Sequence, residues 1–144
     1  MRSSHCFTII LVATLGLAHT AWAQSQAMVE AAVASTPFID RSVDPPGMPG
    51  FSAFLARESE AARAKLEPLI AKKWVSALNA KKRSVTVDTT FFNSMSLDKR
   101  EEFVRLVESF FSGNQVLIYD ARHRLIASDS IQFGLHVEGA TPPR

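Results

Sequence analysis

The segment from Ser96 to Asn114 has the pattern of an amphipathic α-helix with both ends marked. Ser96 is a good N-cap, and acidic residues follow it in the first turns, where the positive end of the helix dipole favours them. The pair Gly113 and Asn114 supplies a C-terminal stop. Between these ends, apolar residues recur at offsets of 0, 3, 4 and 7: Phe103, Leu106, Val107 and Phe110. We therefore predict one helix here, and the flanking segments must supply the surface on which it packs.

Segments with the alternation typical of β-strands lie on both sides of this helix. Ser84 to Asp88 precedes it and alternates apolar with polar residues. After the helix, Val116 to Asp120 and Leu125 to Ser128 predict a hairpin, and Ile131 to Glu138 has the clearest period of two. The hairpin residues Ile118 to Ser128 are similar to hairpins of periplasmic sensor and PepSY-type domains, a resemblance that implies no residue roles. The first strand must cross over the helix to reach the others.

Upstream of the strands, the apolar residues again follow a helical period. From Phe51 to Glu67 they share one side with charges opposite, which predicts an amphipathic helix. Pro68 is expected to kink this helix or to begin a second one that continues to Asn79, with Ile70, Trp74 and Leu78 in one stripe. The predicted fold is α+β: two N-terminal helices, then strand-helix-strand-strand-strand, with the helices packed on one face of a small, mainly antiparallel sheet.

The first 23 residues have the anatomy of an export signal. Arg2 gives a positive start, Phe7 to Ala18 is apolar, and an Ala-Trp-Ala cleavage pattern ends at Ala23. We predict cleavage between Ala23 and Gln24, with an uncleaved N-terminal anchor as the alternative. The protein would then be periplasmic or secreted, and bacterial periplasm fits best. Cleavage would also remove Cys6, the only cysteine, so the mature chain would form no disulfide.

The rest of the chain divides by composition into three parts. Residues 24–50 are rich in Pro and Gly and predict a leader or linker, either disordered or docked on a partner. Residues 51–139 are predicted to form the single α+β domain, and residues 140–144 a frayed tail. No later apolar run reaches the roughly 18 residues that a membrane span requires. A formal net charge of +2 argues against a nucleic-acid binder, which is usually far more basic.

No motif in the sequence specifies a reaction or a cofactor. His123, His136 and Glu138 are the candidate metal ligands, but their spacing does not support a site, and solvent-facing positions are the simpler interpretation. No serine lies in a recognisable nucleophile motif. Two carboxylates could still meet in the fold, for example Asp88 and Asp120 at strand ends. We predict a protein without catalytic activity, metal or cofactor.

Two groups of residues are candidates for an interface. One is the aromatic pair Phe91 and Phe92, of which one is expected to pack in the core and the other to stay exposed. The second group is a dense basic region that could attract an acidic partner or simply complement the C-terminal dipole of the preceding helix. Its members are Lys72, Lys73, Lys81, Lys82 and Arg83.

These features favour a non-catalytic exported interaction module, such as an accessory, adaptor or inhibitor protein of the cell envelope that binds another envelope protein. The alternative is a small-ligand sensor or carrier whose pocket is lined by Trp74, Tyr119 and Phe133. A metal-dependent or hydrolytic enzyme is a third alternative. An exposed sheet edge would also permit a homodimer.

Overall fold

The computed structural model describes residues 26–37, 39 and 41–139. The predicted export signal and the predicted tail lie outside these residues. No helix within them has both the length and the apolar character needed to cross a membrane. The helices and strands, in chain order, are α1 (26–35), α2 (Phe51–Ala71), β1 (Val75–Asn79), β2 (Ser84–Val87), α3 (Thr89–Ser94), α4 (Leu97–Phe110), β3 (Val116–Asp120), β4 (Leu125–Ser130) and β5 (Gly134–Val137).

The five strands form one mixed sheet in the order β1-β2-β3-β4-β5. β2 and β3 are parallel neighbours, and α3 and α4 form the crossover between them. The other neighbouring pairs are antiparallel. The predicted α+β class, the mainly antiparallel sheet and the β3–β4 hairpin are thereby confirmed.

The main core lies between one face of the sheet and helices α2 and α4. α4 begins after its predicted N-cap Ser96 and ends at Phe110, just before the left-handed residues Ser112 and Gly113. α2 packs beside it, with the Ser59 hydroxyl donating to the carbonyl of Phe110 at 2.9 Å. The apolar side chains that close this core include Leu66, Val75, Val85, Val87, Phe92, Phe103, Val104, Val107, Val116, Ile118, Ile126 and Val137.

The predicted second helix, from Pro68 to Asn79, is wrong beyond its first turn. α2 continues through Pro68 to Ala71, and the chain then turns into β1. Lys73 adopts a left-handed φ of 59°, which ends the helix. Val75 is buried in the core, and β1 pairs with β2 through a tight hairpin. The strand is stabilised by this pairing, which the local sequence pattern does not reveal.

Residues 26–35, predicted as part of a leader, form α1 and pack against the sheet face opposite α2 and α4. Val33 is 1% exposed and contacts Leu117 and Leu125 on that face. A helix this short is marginal in isolation, so burial of its apolar side chains on the sheet is what stabilises it. Helices therefore cover both faces of the sheet, not one face as predicted, and the packed body includes α1.

The carboxylate of Asp120 organises the turn between β3 and β4. Its side chain is fully buried and accepts hydrogen bonds from Arg122 N at 2.8 Å, Arg124 N at 2.9 Å and Arg124 Nε at 2.7 Å. Burial by itself would raise the pKa of Asp120, but the hydrogen bonds from Arg124 and Arg122 outweigh it and hold this pKa below its usual value. Asp120 therefore has a structural role.

We expect Asp120→Asn to destabilise the protein at neutral pH and to change its free energy of unfolding very little in acid. A carboxylate whose pKa is lower in the folded than in the unfolded state contributes stability above about pH 3.9, and this contribution is lost as the pH falls through the folded value. The variant should be less stable than the parent by about 1–2 kcal/mol at neutral pH. Urea unfolding between neutral and strongly acidic pH measures the difference, with the exposed Glu67→Gln on α2 as control. A difference that stays constant with pH would contradict this role.

Candidate functional site

The two aromatic interface candidates, Phe91 and Phe92, both lie on the short helix α3, but their side chains have different surroundings. It starts directly after β2 because the carboxylate of Asp88 accepts a hydrogen bond from Phe91 N at 2.8 Å. Phe92 is 1% exposed and packs edge-on against Phe103, so it is a core residue and is removed from the interface set. Phe91 is half-buried and stacks on Trp74, with ring centres 4.7 Å apart and planes 11° apart. Phe91 is therefore the member of the pair that is only partly buried.

Arg83 is likewise a structural residue and not part of a basic surface. It is 5% exposed, and its Nη2 donates to the carbonyl oxygens of Val33 and Thr36, the second at 2.8 Å. These carbonyls lie at the C-terminal end of α1, where backbone acceptors are unpaired and the helix dipole favours a cation. Arg83 thus fastens α1 to the β1–β2 hairpin.

The four remaining basic candidates do not form one continuous region. Lys72 and Lys73 precede β1, whereas Lys81 and Lys82 follow it, and all four are exposed. The five-residue strand between them is roughly 16 Å long at about 3.3 Å per residue, and Trp74 and Ala80 lie between its ends and the lysines. The lysines therefore occupy the two ends of one strand.

That strand has one unpaired edge. β1 is first in the strand order and pairs only with β2 among the described residues. Ser76, Ala77 and Asn79 are exposed along it, and a register shift falls between Val75 and Ala77. An unpaired edge presents backbone N–H and C=O groups to which another strand can hydrogen-bond. We use the name β1 edge surface for this free edge together with its flanking residues Lys72, Lys73, Trp74, Lys81, Lys82 and Phe91.

An aromatic stack marks the beginning of the β1 edge surface. Trp74 is 37% exposed, and the Lys72 ammonium lies 4.6 Å from the centre of its ring. The carbonyl of Trp74 accepts a hydrogen bond from Asp88 N at 2.8 Å, and Phe91, stacked on Trp74, is also in edge contact with Phe103. These contacts hold an exposed tryptophan in a fixed position, and tryptophan is enriched among the residues that dominate binding energy at interfaces.

The three predicted pocket residues do not share a pocket. Trp74 lies before β1, and Phe133 lies in the β4–β5 turn with 48% of its surface exposed. Tyr119 lines a groove of about 480 Å³ between α1 and the sheet, and most of the residues that line it are polar. Burial, and then the Glu30 carboxylate to which its hydroxyl is hydrogen-bonded, raise the pKa of Tyr119 far above its usual value, so it stays a neutral donor. One of the three aromatics therefore faces this groove.

The candidate metal ligands lie on different parts of the β3–β5 region. His123 is in the β3–β4 turn with a left-handed φ of 58°, His136 is on β5 opposite Ser128, and Glu138 follows β5. The described part of the chain contains no group of three His, Cys, Asp or Glu side chains placed to hold a metal ion.

Two carboxylates do meet, but they are not the predicted Asp88 and Asp120. Glu108 at the end of α4 and Asp129 on β4 line a cavity of about 240 Å³. Burial raises the pKa of both groups, and the Asp129 charge raises that of Glu108 further. Arg41 and then Arg105 oppose the shift of Glu108, while the Ser130 backbone N–H and then Arg105 oppose that of Asp129. The two carboxylates lie on separate elements with no shared motif, so no sequence pattern could have paired them. Arg105 offsets their charge.

The β1 edge surface combines most of the predicted interface residues. Five of the seven lie on it, and Trp74 from the pocket prediction joins them, whereas Phe92 and Arg83 are buried. An exposed sheet edge was considered, but its position at β1 was not predicted, because residues 75–79 were interpreted as helix. The chain matches no protein-family model, no curated protein and no solved structure.

Proposed function

We propose that this protein is a non-catalytic interaction module of the bacterial cell envelope that docks a partner protein through the β1 edge surface. The observation that carries the proposal is the outer edge of β1, with which no strand of the described residues pairs, and which has a half-exposed aromatic stack at its start and a lysine pair at each end. In strand addition, backbone hydrogen bonds give affinity and nearby side chains give selectivity. The export pattern of residues 1–23 supports an envelope location. An accessory, adaptor or inhibitor protein would use such a surface.

The opposite edge of the sheet is a poorer docking strand. β5 has four residues, and the residue after it is held from the α4 side, where Arg100 Nη1 donates to the carbonyl of Glu138 at 2.9 Å. The nearest large exposed apolar residues, Ile131 and Phe133, lie in the turn before the strand rather than along its edge. β1 is longer, charged side chains flank both of its ends, and an aromatic stack flanks its start. We therefore place the docking strand at β1.

Site-specific photo-crosslinking in the native envelope tests this proposal. A photoreactive residue at Ser76, which is exposed on β1, should crosslink one partner protein, while the same residue at His136 on β5 or Arg57 on α2 should not. The crosslink should weaken about fivefold or more in a Phe91→Ala background, because loss of an interface anchor costs on the order of 1 kcal/mol or more. Equal crosslinking at all three positions, or none at Ser76, would contradict the proposal.

A further inference from the structure

We infer that the segment bound at β1 is an extended acidic peptide of a different protein, with acidic side chains at both ends of the paired stretch. This inference rests on the proposed function and names the kind of partner that the β1 edge surface fits. It depends on three features of that surface: the positive charge of its lysines, the position of that charge at both ends of β1, and the repulsion that this charge would create between two copies of this chain.

The lysines of the β1 edge surface place two positive charges at each end of the strand. All four are exposed, and none forms an ion pair with another described residue. The ion pairs among the described residues join Arg63 to Glu60, Lys99 to Glu102 and Arg124 to Asp120. Asp88, which caps α3, is the carboxylate close to Trp74, and Glu30 lines the same groove as Lys82, so each end keeps two lysines against one nearby carboxylate. The edge is therefore electropositive at both ends, which favours an acidic partner.

The same charges disfavour a second copy of this chain. Antiparallel pairing of two β1 edges would place Lys72 and Lys73 of one copy opposite Lys81 and Lys82 of the other, and parallel pairing would place each pair opposite itself. Like charges opposite one another destabilise a strand pair, and lysines are a common protection of free edges. The lysines would instead attract a segment that has acidic residues near both ends and uncharged residues between them.

The spacing of the two lysine pairs fixes the length of the segment. The strand between them has five residues, or roughly 16 Å. A suitable probe is the nine-residue peptide Glu-Glu-Val-Thr-Val-Thr-Val-Glu-Glu, which reads the same in both directions and so fits either strand orientation. One control replaces every Glu with Gln. A second control replaces the central Val with Pro, which cannot donate to a strand partner.

Binding of these peptides to the whole exported protein should separate charge from backbone pairing. We expect the acidic peptide to bind about tenfold or more tightly than the Gln peptide, and to weaken as salt rises from about 0.05 to 0.5 M. The Pro peptide should bind poorly despite its charge. Backbone amide chemical shifts should change most over residues 75–79. Equal affinity for the acidic and Gln peptides, or shift changes confined to another surface, would overturn the inference.

A charge-matched pair of variants completes the test. Neutralising the β1 edge surface (Lys72→Gln, Lys73→Gln, Lys81→Gln, Lys82→Gln) should abolish the preference for the acidic peptide. Neutralising four exposed cations elsewhere (Arg57→Gln, Arg63→Gln, Lys65→Gln, Arg122→Gln) should preserve it. If the first variant only gains self-association and the parent binds no peptide, the lysines serve edge protection alone and the inference is overturned.

The two proposals fail in different ways. If the Ser76 crosslink to an envelope partner persists unchanged in the variant with the four β1 lysines neutralised, the acidic character of the partner is refuted and the docking function stands. If the parent gives no crosslink at Ser76, the docking function itself is refuted. A crosslink that is lost in this variant and kept in the control variant supports both.

Discussion

Replacing Phe92 with alanine should lower the free energy of unfolding by about 3–5 kcal/mol, whereas the same change at Phe91 should lower it by about 1 kcal/mol. Phe92 is 1% exposed and lies among the side chains of α4 and the sheet, so its removal leaves a cavity that the rigid neighbours cannot fill. Phe91 is half-buried and loses mainly its stack on Trp74 and its edge contact with Phe103. The two adjacent phenylalanines are thus expected to contribute unequally to the free energy of unfolding.

Urea unfolding of the protein measures both changes. A domain of this size has a total stability of about 5–15 kcal/mol, so Phe92→Ala is close to the limit of folding. Phe92→Leu serves as a second variant, since a volume-conserving apolar change should cost less than about 1.5 kcal/mol. In the crosslinking experiment the order reverses: Phe91→Ala loses the partner while Phe92→Leu retains it. Similar unfolding energies for the two alanine variants would contradict the assignment of Phe92 to the core.

The second large effect is expected at Arg83. Arg83→Ala should lower the free energy of unfolding by about 2 kcal/mol, because two carbonyls at the end of α1 lose a charged donor. Arginine and alanine both carry a Cβ, so the left-handed φ of 51° at position 83 strains them alike. The difference in unfolding free energy between parent and variant therefore reports the loss of the arginine side chain. α1 should separate from the sheet more often, and its backbone amides should exchange with solvent about tenfold faster or more.

Hydrogen exchange of residues 26–35, measured beside urea unfolding, tests this expectation. Lys82→Ala is the matched control, since it removes an adjacent exposed cation and should change stability by less than about 0.5 kcal/mol. Arg83→Lys should be intermediate, because it keeps the charge without the planar guanidinium. Unchanged exchange in α1 of Arg83→Ala would show that its other contacts, among them the burial of Val33 and the hydrogen bond from Leu125 N to Gln26, hold the helix on the sheet without Arg83.

The elements with a strong local pattern could be predicted from the sequence. α4 has an N-cap, an apolar stripe and a stop within one stretch, and β2 and β3 have the predicted extents to within a residue. The predicted helix that begins at Phe51 was also correct, although α2 extends past Pro68 to Ala71. In each case the information lies in residues that are neighbours along the chain, so the preference is present before any tertiary contact forms.

The candidate site could be predicted only in part. The sequence marked the aromatic pair and the basic residues as unusual, and it indicated that one phenylalanine would be buried. It could not say which one, because the side of α3 that faces the core depends on where Asp88 starts that helix. Nor could it separate Arg83 from Lys82, since the acceptors of Arg83 lie about fifty residues earlier in the chain.

The sequence by itself determined the α+β class, the helix α4, and the strands on either side of it, because periodicity and capping act over one or two turns or one strand. Tertiary structure decided whether residues 75–79 became strand, whether α1 packed on the sheet, and which cations were buried. Each of these depends on a partner outside the element itself: β2 for β1, the outer sheet face for Val33, and the end of α1 for Arg83, the last two distant in sequence. The β1 edge surface belongs to this second group, since its lysines frame an edge only after β1 has joined the sheet.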